Sequence, residues 1–169
     1  MREKKERFLA LYEPVHQSFE RFCKVRAYGQ MPFKDLMQET LLIAYSKLDQ
    51  SQEADKFLFF LFGIATRVLA NFRRKAKLME LDELPESDHF QLPEATRRSE
   101  MDFLYKALSL LHADQRDALV FFEMVGFSVR EIADHQKKSE EAIRQSLSRG
   151  RKKLLEILKN NAEYKNSMP

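Results

Sequence analysis

At 169 residues, with 44% hydrophobic side chains, the chain is long enough for one ordinary domain or two small ones with filled cores. A net charge of +3 is too small to draw it strongly to a polyanion, so any nucleic-acid contact must come from local clusters of charge. A single cysteine, Cys23, excludes an internal disulfide and any cysteine-built zinc site, which fits a reducing, cytoplasmic compartment.

Four glycines, five prolines and a charged fraction of 33%, with few β-branched runs, predict an all-α chain. The amino-terminal MREKKERFLALYEPV is interrupted by Glu13 and Pro14 and has no small-residue cleavage site, so it does not read as a signal peptide. From Lys5 to Lys77 the apolar residues recur at helical spacing, as in Phe8, Leu11, Tyr12 and Val15. Gly29 and Pro32 break this block, and Pro32 suits the start of a helix over Lys34 to Leu48. On that helix Asp35, Gln38 and Glu39 form a polar ridge beside an apolar stripe of Leu36, Leu41 and Ala44. Such a ridge suits a basic partner helix, or equally an ordinary solvated face.

DQSQEADKF, from Asp49, is a polar connection into FLFFLFGIAT, Phe57 to Thr66, which is about half the length needed to span a bilayer. Phe57, Phe59, Phe60 and Phe62 cover too much of the helix circumference for all to share one buried face. Some belong to the core, and an exposed one can stack on an unpaired base. Arg67, Arg73, Arg74, Lys75 and Lys77 follow without an intervening acid, a strip of five positive charges fit for phosphates or for a solvated helix end.

Residues 81–99, LDELPESDHFQLPEATRRS, hold two prolines, many carboxylates and no apolar stripe, so they are expected to form a flexible acidic linker. The chain then divides into a helical domain over 1–80, the linker, a second helical domain over 100–160 and a frayed tail over 161–169. In the second domain Phe103, Leu104, Ala107, Leu108 and Leu111 make one apolar face. Asp114 is an expected N-cap for the next helix and Gly126 its terminator. Ser128 caps a short helix to about His135, and Ser139 caps a long basic one.

A short helix, a tight turn and a longer basic helix make a helix-turn-helix. Ala133 is small where the helices cross, and Ile143, Leu147, Leu154 and Leu158 are the expected buried stripe of the last one. The opposite face then carries Arg144, Gln145, Ser148, Arg149 and Lys152. Arginine reads guanine edges and glutamine adenine in a major groove, while other cations hold phosphates.

The stretch LLHADQRDALVFFEMVGFSVREIADHQKKSEEAIRQSLSRGRKKLLEIL resembles region four of bacterial RNA polymerase sigma factors of the extracytoplasmic-function (ECF) group, through Arg116, GFSVREIA, Ser139 and SLSRGRKKL. FKDLMQETLLIAYSKLDQ resembles the region-two helix of that group that docks on the clamp coiled coil of the β′ subunit, and FLFFLFGIATRVLANFRRKAK the segment that captures and melts the minus-ten element. The resemblance implies that Asp35, Gln38 and Glu39 bind polymerase. It implies that Phe57, Phe59, Arg67, Arg73 and Arg74 act at the minus-ten element. Ser139, Arg144, Gln145, Ser148 and Arg149, with Lys152, would contact the minus-thirty-five element.

The chain departs from the family where Leu-Gly-Val usually separates the two helices: Gln136, Lys137 and Lys138 stand there, and Lys137 must accept strain or the turn must differ. Thr66 and Arg67 stand where Arg-Asn is usual.

The implied partners are core RNA polymerase, promoter DNA and an anti-sigma protein, with no membrane insertion. Two other readings remain: a stand-alone helix-turn-helix regulator, and a sigma mimic that binds polymerase or anti-sigma without opening promoters. The four histidines are scattered, with no acidic or cysteine cluster at metal or triad spacing, so no metal, cofactor or enzymatic activity is expected.

Overall fold

The computed structural model describes residues 1–49, 52–82 and 100–166, with side chains at 1–49, 52–80 and 103–161. Among them there is no strand, and the expected all-α class holds. The chain divides into two compact units, Met1–Glu94 and Ala95–Pro169.

The first unit comprises α1 (Arg2–Tyr12), a 3-10 turn (Glu13–Val15), α2 (His16–Ala27), α3 (Phe33–Lys47) and α4 (Ala54–Asp82). Pro14, which cannot donate to a preceding carbonyl, is the middle residue of the 3-10 turn that separates α1 from α2. After α2 the chain turns at Gly29, whose φ of 70° is the left-handed geometry glycine tolerates. Pro32 then opens α3, its carbonyl accepting from the N–H groups of Asp35 and Leu36.

Phenylalanine fills the core of this unit. Phe8 meets Phe57 edge-on at 5.7 Å, and the Phe22 and Phe62 rings lie 4.2 Å apart. Phe57 and Phe62 are fully enclosed by these contacts. On α3 the buried positions are Leu36, Met37, Thr40 and Ala44; Leu41, expected in that stripe, is only half-buried because the helix is rotated toward Met37 and Thr40. α1 also braces the α3–α4 connection, with the Arg7 guanidinium donating to the carbonyls of Asp49 and Gln52 at 2.9 and 3.1 Å.

The linker expected over 81–99 lies outside the described residues, except that α4 continues through Asp82. The second unit contains α5 (Glu100–Ser109), α6 (Ala113–Leu119), α7 (Val129–Gln136) and α8 (Glu140–Asn166). α6 widens into a π-helical segment, Val120–Val125, that Gly126 ends at φ 89°. Its core holds Ala107, Leu108 and Leu111, with Phe103 and Leu104 half-buried at the margin.

Three local expectations are corrected here. His112, not Asp114, occupies the N-cap position of α6, and Asp114 turns instead to Lys138 at 2.7 Å. That hydrogen bond holds the Asp114 carboxyl below its usual range. Leu154 and Leu158 are half-buried rather than core. α8 runs on to Asn166, past the expected start of the tail at 161, and no glycine or proline follows Gly150 within it.

His135 sits half-buried with its ring edge-on to Phe121 at 5.5 Å, and desolvation lowers its pKa although Asp117 opposes the shift. The folded state therefore binds this proton less readily than the unfolded chain. The stability lost to this group is absent above about pH 6.5 and grows as pH falls toward the depressed value, by at most about 1.4 kcal/mol per pH unit. Thermal unfolding between pH 7.5 and 5.5 is expected to show the parent losing more stability than His135→Gln. Parallel losses in the two proteins would contradict that assignment.

Candidate nucleic-acid and polymerase interfaces

α7 and α8 form the helix-turn-helix, and short-range capping sets its geometry. Ser128 Oγ accepts from the Glu131 N–H at 3.2 Å while the Glu131 carboxylate accepts from the Ser128 N–H at 2.8 Å, a reciprocal box that fixes the start of α7. At α8 the Ser139 Oγ accepts from the Ala142 N–H at 3.1 Å. Ile132 and Ala133 of α7 and Ile143 and Leu147 of α8 are buried and set the crossing of the two helices.

Gly150, which the sequence reading passed over, lets α8 press against α6. A Cβ there would stand 3.1 Å from Leu119 Cδ1 and 3.2 Å from Gln115 Cβ. A lone glycine in a helical basic run is the signal that could have marked this approach.

With that face inward, Arg144, Gln145, Ser148, Arg149 and Lys152 are all exposed. Two of them are held by the acidic first turn of their own helix. Arg144 donates to Glu140 at 2.9 Å, and the Gln145 amide approaches Glu141 at 3.5 Å. These contacts are exposed and therefore weak. Arg151 points elsewhere, bonding Glu123 at 2.6 Å and lying over the Phe122 ring, so it braces α8 against the π-helical segment.

On the first unit, every described residue of α4 from Ala70 to Glu80 is exposed. Arg67, Arg73 and Arg74 all lie on the solvent side, with Arg73 donating to Gln30 Oε1 at 2.6 Å and Arg74 to Asn71 Oδ1 at 3.3 Å. The expectation that Phe57 offers a stacking face is corrected: its ring is fully buried against Phe8. Phe59 is half-buried, edge-on to Phe62 at 6.2 Å, and keeps part of its ring at the surface. Phe72 was missed. It is 41% exposed within the basic strip, where an aromatic between arginines is itself a stacking signal.

The α3 ridge is present as expected, with Asp35, Gln38 and Glu39 exposed on one side of the helix. Leu42, also missed, lies one turn beyond Gln38 and Glu39 and is 73% exposed. It adds apolar area to the polar ridge, as single exposed leucines commonly do on protein surfaces.

Among the described residues no three His, Cys, Asp or Glu side chains group closely enough to hold a metal, and no helix is long and apolar enough to cross a membrane. Cys23 is buried, and desolvation with the nearby Glu20 pushes its thiol far up, which removes it as a nucleophile.

Two family models match the chain in order: sigma-70 region 2 over residues 11–78 and sigma-70 region 4 over residues 104–154. No curated protein matches it significantly. Among solved structures it is similar to CnrH in complex with the cytosolic domain of CnrY, with TM-score 0.66, 22% identity and coverage of 92% of this chain and 90% of that one. It is also similar to the sigma factor RpoE of Bartonella quintana in complex with the anti-sigma factor NepR, with TM-score 0.64, 24% identity and coverage of 94% and 98%. The fold they share is the two-unit helical one described above.

Proposed function

The chain belongs to the sigma-70 family, and on that premise we propose that it is a sigma factor of the ECF type whose surfaces divide the work. α3 docks on core RNA polymerase through Asp35, Gln38, Glu39 and the adjoining Leu42. The exposed basic part of α4, with Arg67, Arg73, Arg74 and the rim aromatics Phe59 and Phe72, holds the minus-ten element as it opens. α8 enters the major groove of the minus-thirty-five element through Ser139, Arg144, Gln145, Ser148, Arg149 and Lys152.

The observation that carries this reading is the order of the two regions on one chain, each presenting an exposed face of suitable charge. The rival of a stand-alone helix-turn-helix regulator leaves the α3 ridge without a purpose. An anti-sigma protein is a further partner, because similar chains are found in complex with CnrY and with NepR. The chain acts in the cytoplasm, where polymerase and promoters are, and it supplies specificity rather than catalysis.

The division between base reading and phosphate holding on α8 is testable. Arg149→Ala is expected to lose about 1 to 3 kcal/mol of promoter binding and to relax preference at one upstream position. Lys152→Ala is expected to weaken binding evenly across sequences and to flatten the salt dependence by about one unit. Equilibrium binding of the holoenzyme to a set of single-base promoter variants reads both. Equal losses on every sequence for both proteins would remove Arg149 from base recognition.

A further inference from the structure

The turn between α7 and α8 holds the one non-glycine residue with positive φ among the described residues, Lys137 at φ 54° and ψ 45°. The turn requires this conformation whichever residue stands there. The N–H groups of Lys137 and Lys138 both converge on the Ala133 carbonyl, the second at 3.0 Å, and close the end of α7. Glycine or asparagine occupies that region at little cost, whereas a lysine Cβ crowds the backbone. Strain of this kind persists where the surrounding structure holds it, and it clusters at functional sites.

The surroundings point to what it serves. Lys138 is committed to Asp114 at 2.7 Å, while the exposed Lys137 ammonium has no ion pair or hydrogen bond among the described residues. Lys137 stands two residues before Ser139, whose hydroxyl caps α8, so it lies at the leading end of the helix that bears Arg144 and Gln145. The first turn of that helix is acidic, with Glu140 and Glu141 both exposed. A phosphodiester reaching this end meets two carboxylates, and a cation just ahead of them offsets the repulsion.

We infer that Lys137 is a DNA-phosphate contact at the leading edge of the helix-turn-helix, held in a left-handed conformation that glycine would occupy with less strain. The inference rests on the reading of α8 as the promoter-binding helix. A phosphate contact adds affinity without regard to base sequence and releases condensed counterion, so its removal is read in the salt dependence of binding.

The test uses full-length parent, Lys137→Gly, Lys137→Arg and Arg149→Ala proteins, each assembled with core polymerase and titrated on a selected duplex promoter from roughly 50 to 200 mM salt. Lys137→Gly is expected to melt at or above the parent temperature, to bind about two- to tenfold more weakly at the lower salt, and to show a salt slope shallower by about 0.9. Lys137→Arg should retain the parent slope. A parent-like slope in Lys137→Gly, with Arg149→Ala still altering base preference, overturns the assignment of Lys137 alone. A parent-like slope together with unaltered preference in Arg149→Ala overturns the reading of α8 as well.

Discussion

Replacing both Asp35 and Glu39 by lysine is expected to abolish retention of core RNA polymerase by the otherwise folded protein. Both carboxylates are exposed on α3, while Leu36, Met37, Thr40 and Ala44 on its other side hold the helix to the body, so the exchange leaves the core untouched. A rim ion pair contributes only about 0.2 to 1 kcal/mol, and neutralising one carboxylate would be a weak test. Reversal differs because it sets like charges against a basic partner helix, which costs several kcal/mol and weakens binding on the order of 100-fold or more. Circular dichroism checks that the helices persist, and co-purification with core polymerase reads the effect. Undiminished capture by the folded double variant would favour a helix-turn-helix regulator that works without polymerase.

The second large effect separates two neighbouring phenylalanines. Phe57→Ala is expected to destabilise the first unit by about 3 to 5 kcal/mol, because it empties a fully buried site against Phe8. That loss is a large fraction of the stability of a small domain. Phe59→Leu is expected to leave thermal unfolding close to the parent, since the half-buried position keeps most of its apolar cover, yet to slow promoter opening by removing the stacking face. A template with a premelted bubble should restore the rate. Destabilisation by Phe59→Leu without rescue on the bubble would place Phe59 in the core alongside Phe57.

Features governed by contacts within a few residues were legible in the sequence. Ser128 at α7, Ser139 at α8 and Gly126 after the π-helical segment each satisfy or terminate a helix end locally, so residue type and spacing identify them. The exposed faces of α3 and α8 follow from the same periodicity.

What depended on distant partners was not legible. Four phenylalanines within six residues leave the helix phase undetermined, and it is Phe8 on α1 and Phe22 on α2 that decide which of them are enclosed. Asp114 suited an N-cap by type, but Lys138, twenty-four residues later, captures its carboxylate. Gly150 matters only because α6 lies against it. Leu42 and Phe72 were missed because an isolated apolar residue is assigned to a core by default, and exposure is a property of the assembled unit.

The central claim is that this chain directs core polymerase to promoters and opens them, and run-off transcription tests it most directly. Purified full-length protein is added to core polymerase on a randomised promoter library, and the transcribed templates are sequenced. Promoter-specific initiation is expected, with enriched templates sharing two elements at a fixed spacing, and it should disappear when the Asp35→Lys, Glu39→Lys protein is used instead. Polymerase binding without any enriched template, or enrichment of a palindrome bound equally well in the absence of polymerase, would contradict it.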